Sequence, residues 1–169
     1  MSRDYAAEIQ KLIQDKFKDN PDELKTETIK LERIKKTEQS KELTELLIAE
    51  MSKKSKGDIK IIKDLIKNGA DITAKTEVCG SSVLHYASYF GDTEIIEECF
   101  EFDIFVDVVN KNKFTPLHWA IIGNSIESVK ILLEKGASIT RECKENTDAL
   151  VLAKNLNRTE IIELLNGNS

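Results

Sequence analysis

The chain has 169 residues, of which 33% are charged and 40% hydrophobic, and its formal net charge is −5. Two prolines and seven glycines are too few for a Pro/Gly-rich disordered tract, and no run of about 18 apolar residues predicts a membrane span. Three widely spaced cysteines argue against a disulfide framework and favour a reducing, cytoplasmic compartment. This length predicts one domain, or one domain with an extension, that buries a core.

An apolar stripe near the N-terminus predicts a first, amphipathic helix. Its members are Tyr5, Ile9, Leu12, Ile13 and Phe17. Asn20 and Pro21 then predict the start of a second helix towards Lys36, because Asn caps a helix and Pro suits its first position. We interpret residues 1–38 as a helical extension that shields the open end of the domain after it, with a partner-binding or dimerising helix as the alternative.

A third helix is predicted over residues 40–54. Its apolar stripe consists of Leu43, Leu46, Leu47 and Met51. This segment precedes the sequence IKIIKDLI (59–66) as one helix of a pair precedes the other, so we interpret it as the degenerate start of a repeat.

A spacing of 33 residues governs the rest of the chain. Ala87, Ala120 and Ala153 recur at this interval. So do Leu84, Leu117 and Leu150. The apolar segments TEIIEECF (93–100), IESVKILL (126–133) and TEIIELLN (159–166) share the spacing, and IKIIKDLI lies 34 residues before the first of them. The extra residue falls within 69–85, which predicts one longer loop.

Each copy predicts two helices joined by a turn. Thr115 is a suitable N-cap and Pro116 a suitable first helical residue. Residues that accept left-handed backbone follow the first helices at equal intervals: Gly91, Asn124 and Asn157. Gly69 and Gly136 predict the ends of two second helices.

The motifs TPLHWA (115–120), SVLHYA (82–87), NGADI and KGASI, in this register, resemble the ankyrin repeat. The resemblance implies an all-α fold, an α-solenoid of stacked helix-turn-helix repeats with turns that project as fingers. The implied domains are the extension at 1–38 and a repeat domain at 39–169. The implied repeats span about 41–75, 76–109, 110–142 and 143–169.

Two copies depart from this pattern. After the second helix of one copy, Asp103, Ile104 and Asp107 replace the expected Gly, Ala and Asn. The same turn is unusually apolar, with Phe102, Phe105, Val106, Val108 and Val109. Extra packing between repeats and an adhesive patch are both open explanations. In the last copy Asp148-Ala149 replaces Thr-Pro and Val151 replaces His, which predicts a looser repeat.

Charge is distributed unevenly along these repeats. Between Lys75 and Lys111 there is no basic residue. The acidic residues of that segment are Glu77, Asp92, Glu94, Glu97, Glu98, Glu101, Asp103 and Asp107. Such a segment repels nucleic-acid phosphates. A solvated acidic face is the ordinary explanation, and a basic partner is the functional alternative.

No motif predicts an enzyme, a cofactor site or a metal site. The chain lacks a phosphate-binding glycine loop, HExxH, CxxC and GxSxG, and its cysteines and histidines lack zinc spacing. His85 and His118 occupy equivalent places in consecutive repeats, where the resemblance implies a hydrogen bond from the ring to the backbone of the adjacent repeat. Tyr86 and Trp119 are predicted to pack against each other between repeats.

The resemblance places partner-contact positions on the fingers and late in the first helices, along a concave face. In the first full copy these are Val78, Cys79, Ser81, Tyr89 and Phe90. In the next they are Lys111, Asn112, Phe114, Ile122 and Gly123. In the last they are Lys144, Glu145, Thr147, Asn155 and Leu156. Tyr89, Phe90 and Phe114 are the expected centre, because aromatic side chains often dominate binding energy.

The resulting hypothesis is a monomeric, non-catalytic module that binds a protein or peptide. Its setting would be that of a host-directed effector or of a cytosolic adaptor or inhibitor. One alternative is a self-assembling scaffold that uses Phe102–Val109 or the uncapped last repeat. Another is the targeting domain of an enzyme or toxin.

Overall fold

Local capping chemistry defines the helices of this protein. The structure is a computed structural model that describes residues 21–53 and 58–167, with side chains from residue 36 onward. That part of the chain holds eight helices and no β-sheet, which confirms the predicted all-α class. The helices are α1 (Pro21–Met51), α2 (Ile59–Lys67), α3 (Val83–Phe90), α4 (Thr93–Glu101), α5 (Pro116–Gly123), α6 (Ile126–Glu134), α7 (Ala149–Asn155) and α8 (Thr159–Gly167).

Helix α1 differs from the two helices predicted for this region. It begins at Pro21 as expected but runs without interruption to Met51, because no further Pro or Gly breaks it and the polar residues near Ser40 cost little in a helix. The predicted stripe is also wrong at Leu46, which is 57% exposed. Leu47 and Met51, one helical turn apart, are the buried members.

The chain divides into two units between Glu42 and Leu43. Of the first unit, only residues 21–42 are described. The predicted stripe from Tyr5 to Phe17 lies outside the described residues. The extension boundary at residue 38 and the shielding role of the extension therefore stay predictions.

In the second unit the helices form stacked pairs. The first helices α3, α5 and α7 pack in one layer, and the second helices α4, α6 and α8 pack in another. Leu84 and Leu117 are fully buried at equivalent places, and the small side chains of Ala87 and Ala120 are buried where the helices approach each other. The predicted stacking of helical pairs is confirmed.

Left-handed residues end the helices of each repeat. After the first helices, Gly91, Asn124 and Asn157 have φ of 78°, 56° and 55°. After α4, Asp103 takes the place of glycine with φ 54°, as its residue type allows. The predicted N-cap is also present, since Thr115 Oγ1 accepts a hydrogen bond from the His118 amide.

Gly123 allows α5 to approach α3 very closely. A Cβ atom at this position would lie 2.0 Å from the carbonyl oxygen of Tyr89. Ser125 Oγ donates to the same oxygen at 2.8 Å and fixes the approach. Gly123 therefore has a packing role that the repeat register did not predict, because it lets two backbones meet.

The first helix of the last repeat packs less extensively on its neighbour than the first helix before it does. Helix α7 packs much less extensively on α5 than α5 does on α3. The position equivalent to Gly123 is Leu156, which carries a side chain and is 37% exposed. A residue with a Cβ atom cannot repeat the close approach, and Arg158 reaches across the gap to donate to Ile122 O at 3.3 Å.

We expect Gly123→Ala to lower the free energy of unfolding by about 1–3 kcal/mol, because the new methyl group must displace backbone and overpack the helix contact. Urea denaturation monitored by circular dichroism measures the change. Gly167→Ala is the matched control, since a Cβ atom at Gly167 meets no atom within 4 Å. Equal stability of the two variants would contradict the close approach.

Candidate functional site

Three turns project between the second helix of one repeat and the first helix of the next. We call them fingers and define them as residues 76–81, 110–114 and 143–147. A backbone hydrogen bond joins the first and last residues of each finger: Thr76 N to Ser81 O at 2.9 Å, Asn110 N to Phe114 O at 3.1 Å, and Cys143 N to Thr147 O at 3.1 Å. The fingers and the first helices together form the surface that we call the finger face.

The first finger is longer than the others. Four residues separate Thr76 from Ser81, whereas three separate Asn110 from Phe114, so the predicted extra residue lies at the finger tip. Val78 at this tip is 84% exposed. The finger tip therefore presents a large apolar side chain directly to solvent.

Backbone hydrogen bonds join neighbouring fingers into an ordered row. Lys111 N donates to Cys79 O at 2.8 Å, and one repeat later Lys144 N donates to Asn112 O at 3.0 Å. The Lys111 ammonium also donates to Glu77 O at 2.5 Å. Because the backbone is held this way, the exposed side chains of Asn112, Lys144 and Glu145 are presented from a fixed frame.

Asn110 organises the base of the middle finger. Its side-chain oxygen accepts from the amides of Asn112 (3.0 Å) and Phe114 (3.1 Å), and its Nδ2 donates to Ser81 Oγ at 3.2 Å. Ser81 has 0% exposure. The assignment of Ser81 to partner contact is therefore wrong, because its hydroxyl is buried and engaged between two fingers.

Each histidine links three parts of the chain. His85 Nδ1 accepts from the Ser82 amide at 3.2 Å, and its Nε2 lies 3.0 Å from Phe114 O in the next finger. His118 repeats the arrangement with the Thr115 amide at 3.2 Å and Thr147 O at 3.2 Å. A carbonyl oxygen only accepts, so Nε2 must carry the proton in both rings. The predicted bond from histidine to the adjacent repeat is confirmed.

Both rings are buried and neutral. Burial lowers the pKa of His85 to about 4, against the opposing effect of its bond to Phe114 O. Burial also lowers the pKa of His118, although its bond to Thr147 O and nearby acids act in the other direction. With both nitrogens engaged, neither ring is placed to act as a general base.

Trp119 is the centre of an aromatic cluster on the first helices. Its ring lies edge-on to His85 at 5.5 Å, to Tyr86 at 5.0 Å and to Tyr89 at 6.2 Å between centroids. Tyr89 in turn contacts Phe90 at 5.0 Å. The predicted packing of Tyr86 against Trp119 is confirmed, and the sequence did not reveal that Trp119 also supports Tyr89.

The predicted aromatic centre is partly surface and partly core. Tyr89, Phe90 and Phe114 are half-buried, and Phe90 packs against the core. Phe114 lies edge-on to His118 at 5.6 Å. Ile122 is half-buried at the end of α5. These side chains and the half-buried Cys79 line the finger face, so each retains some surface for contact.

Half of the eight acidic side chains of the segment 76–110 lie on α4, and two of the others lie beside its two ends. Glu94 pairs with Lys67 at 3.2 Å, and Glu97 pairs with Lys135 at 3.1 Å. Of the eight acids, Glu77 alone belongs to a finger. An electrostatic attraction for basic partners would therefore act chiefly at α4 and the turn after it.

Two of the three cysteines are buried in the repeats. Cys99 and Cys143 are buried free thiols, and burial raises the pKa of Cys99 to about 12. In the described ranges, no three His, Cys, Asp or Glu side chains are grouped to hold a metal ion. Among those same residues, no helix has the length and apolar character needed to cross a bilayer.

Comparison with known proteins bears on this repeat architecture. A family model described as ankyrin repeats (3 copies) matches residues 46–143, more than half of the chain. The matched range contains the first two fingers, both histidines and helices α2 to α6.

Similar curated proteins come from varied organisms. Alpha-latrocrustotoxin-Lt1a of Latrodectus tredecimguttatus is 38% identical over 96 residues, which are 56% of this chain and 7% of the toxin. Putative ankyrin repeat protein FPV031 of Fowlpox virus is 32% identical over 110 residues, 62% of this chain and 32% of the viral protein. Palmitoyltransferase AKR1 of Candida glabrata is 29% identical over 80 residues, 47% of this chain and 10% of that protein. The chain thus spans less than a third of each of these relatives.

We expect acid to destabilise the repeats between about pH 6.5 and pH 4. The unfolded chain protonates its histidines below their ordinary pKa of about 6.5, whereas folded His85 resists protonation down to about pH 4. The stabilising contribution is complete above that range and is lost as the pH falls through it. From pH 7 to pH 5, His85 accounts for a loss of about 2 kcal/mol in the free energy of unfolding.

His85→Gln tests this origin, because glutamine retains an amide donor but does not titrate. Urea denaturation at pH 7 and pH 5 should show that the free energy of unfolding falls less in His85→Gln than in the wild-type protein. His118→Gln should reduce the loss in the same direction. If the free energy of unfolding fell by the same amount in all three proteins, the buried rings would be excluded as the source of the acid sensitivity.

Proposed function

The chain belongs to the ankyrin repeat family, and we propose from this that its finger face binds a protein or a peptide without catalysing a reaction. Ankyrin repeats are protein-interaction modules, and the fold supplies a surface rather than a reaction centre. The proposed contact residues are the exposed or half-buried members of the finger face. They are Val78, Cys79, Tyr89, Phe90, Lys111, Asn112, Phe114, Ile122, Lys144 and Glu145.

The observation that carries this proposal is the ordered row of fingers beside a half-exposed aromatic cluster. The hydrogen bonds from Lys111 N to Cys79 O and from Lys144 N to Asn112 O satisfy backbone donors and acceptors and hold neighbouring fingers together. Side chains held on a fixed backbone lose little conformational freedom on binding, so more of the contact energy appears as affinity.

Aromatic side chains are the expected energetic centre of the finger face. Tyr89 is supported by Trp119 at 6.2 Å and Phe90 at 5.0 Å, and Phe114 by His118 at 5.6 Å. Rings fixed from one side and open on the other offer large contact area at a small cost in side-chain entropy.

The proposed setting is that of a host-directed effector or of a cytosolic adaptor or inhibitor. The similarity to an ankyrin repeat protein of a virus and to a toxin supports the first setting. A repeat region that forms a minor part of a larger palmitoyltransferase supports an accessory binding role.

A self-assembling scaffold is the second candidate. It is favoured by Val151, which is exposed on the last repeat at the position whose equivalents His85 and His118 contact the following finger. Light scattering over a concentration series separates the two proposals. A mass that rises with concentration in the wild type, and stays that of a monomer in Val151→Ser, would favour the scaffold.

We expect Tyr89→Ala combined with Phe114→Ala to weaken partner capture by about tenfold or more, because truncation of a central aromatic residue typically costs about 2 kcal/mol. Capture from a native lysate by the immobilised full chain, quantified by mass spectrometry, measures the loss. Both side chains are half-buried, so circular dichroism should report the same helical content as in the wild type.

Ile61→Ser is the matched control for that experiment. Ile61 is an exposed apolar residue on α2, which aligns with the second helices at the repeat spacing and belongs to no finger. Capture should be unchanged in this variant. If the double alanine variant captured the same proteins in the same amounts, the partner site would lie elsewhere.

A further inference from the structure

The turn after α4 carries three exposed apolar side chains that the finger face does not use. Phe102 is 59% exposed, Phe105 64% and Val109 37%. We call these three residues the 102–109 patch. Large exposed apolar side chains gathered in one short segment are a recognised sign of a contact site.

The neighbouring repeats show that packing does not require apolar residues at these positions. By the repeat spacing, the preceding repeat places Asn68, Asp71 and Lys75 there. The following repeat places Lys135, Ser138 and Glu142 there. All six are polar, and five are exposed, with Ser138 half-buried. The same backbone positions thus tolerate polar side chains on both sides of the patch.

The other side chains of the turn account for its packing. Ile104, Val106 and Val108 are partly buried and packed against the core. The two explanations left open by the sequence therefore apply to different residues. The alternating members 104, 106 and 108 pack between repeats, and Phe102, Phe105 and Val109 remain available.

The turn is held by its own hydrogen bonds and by the next repeat. Ile104 N donates to Cys99 O at 3.2 Å, and Val108 N donates to Phe105 O at 3.0 Å. The buried Asp107 carboxylate accepts from the Ser138 amide at 3.1 Å. The two phenylalanine side chains are thus presented on an ordered backbone, which reduces the entropic cost of binding.

Two exposed acids beside the patch have no cationic partner. Glu101 and Asp103 flank Phe102 in sequence and are exposed. Glu94 and Glu97 on the same helix have lysine partners, and Arg141 pairs with the buried Asp107, whereas no described Lys or Arg lies within ion-pair distance of Glu101 or Asp103. Unpaired acids next to an exposed aromatic side chain are complementary to apolar side chains flanked by cations.

We propose that the 102–109 patch is a second docking surface, which binds a segment of a partner protein whose apolar side chains are flanked by Lys or Arg. A second copy of this chain fits the patch poorly. In a two-fold contact of the patch with itself, Glu101 and Asp103 of both copies would face each other, and like charges oppose that contact.

Matched synthetic peptides test the charge preference. They share one core of Leu and Phe and carry Lys/Arg, Ser or Glu flanks, and fluorescence anisotropy measures their binding to the full chain. The Lys/Arg peptide should bind most tightly, and its affinity should fall with added salt. Phe102→Asn with Phe105→Ser should weaken it by about tenfold or more, since aromatic anchors carry much of the binding energy.

Phe102→Asn and Phe105→Ser introduce residues that the chain itself carries at the equivalent positions of other repeats, so the fold should persist, and circular dichroism verifies this.

Two further variants separate charge from apolar contact. Glu101→Gln with Asp103→Asn should remove the preference for Lys/Arg over Ser flanks, and Asn accepts the left-handed backbone of position 103. Tyr89→Ala with Phe114→Ala should bind the peptide like the wild type, because those residues belong to the finger face.

Several outcomes would overturn the proposal. These are equal binding of peptides with Lys/Arg and Glu flanks, no binding of the Lys/Arg peptide at millimolar concentration, and undiminished binding by the two-phenylalanine variant. Sedimentation tests for a second copy of the chain as the occupant. If the wild type self-associated and Phe102→Asn with Phe105→Ser did not, a second copy would occupy the patch, and a basic partner would be excluded.

Discussion

One carbonyl oxygen in each of the second and third fingers connects the parts of a repeat with those of its neighbour. Phe114 O accepts from Asn110 N, which closes the finger, and lies 3.0 Å from the ring of His85 on the preceding first helix. Thr147 O has the same two contacts, with Cys143 N and His118. The finger row, the spacing of the first helices and the aromatic cluster around Trp119 all depend on this shared acceptor. Because buried polar groups are costly when left unpaired, the linkage also specifies the register between repeats.

Much of this architecture could be predicted because it depends on local chemistry repeated at a fixed interval. Thr115 and Pro116 start a helix, and Asn124 and Asn157 end helices, for reasons contained in each residue and its near neighbours. The continuity of α1 could not be predicted as well, since no strong signal separates one long helix from two shorter ones in a polar segment. The repeat register did not predict the close approach at Gly123. A contact between two backbones requires only that a glycine be present, and a single glycine in the sequence does not indicate such a contact.

The candidate site was predictable to a similar degree. Register alone placed Val78, Asn112 and Lys144 on exposed fingers, but it could not distinguish them from Ser81, whose hydroxyl is buried by Asn110 of the next repeat. The turn after α4 shows the same limit. Apolar residues occupy both the packed and the exposed positions of this turn, so the division between them depends on three-dimensional contacts with the neighbouring repeat.

The leucine at position 156 makes the stack of repeats energetically uneven. Repeat proteins are stabilised mainly by interfaces between neighbours, so local opening costs least free energy at the weakest interface. Among the described repeats, the contact between α5 and α7 is less extensive than that between α3 and α5. Local opening of α7 therefore costs less than local opening of α3, and backbone amides of α7 exchange with solvent faster than those of α3.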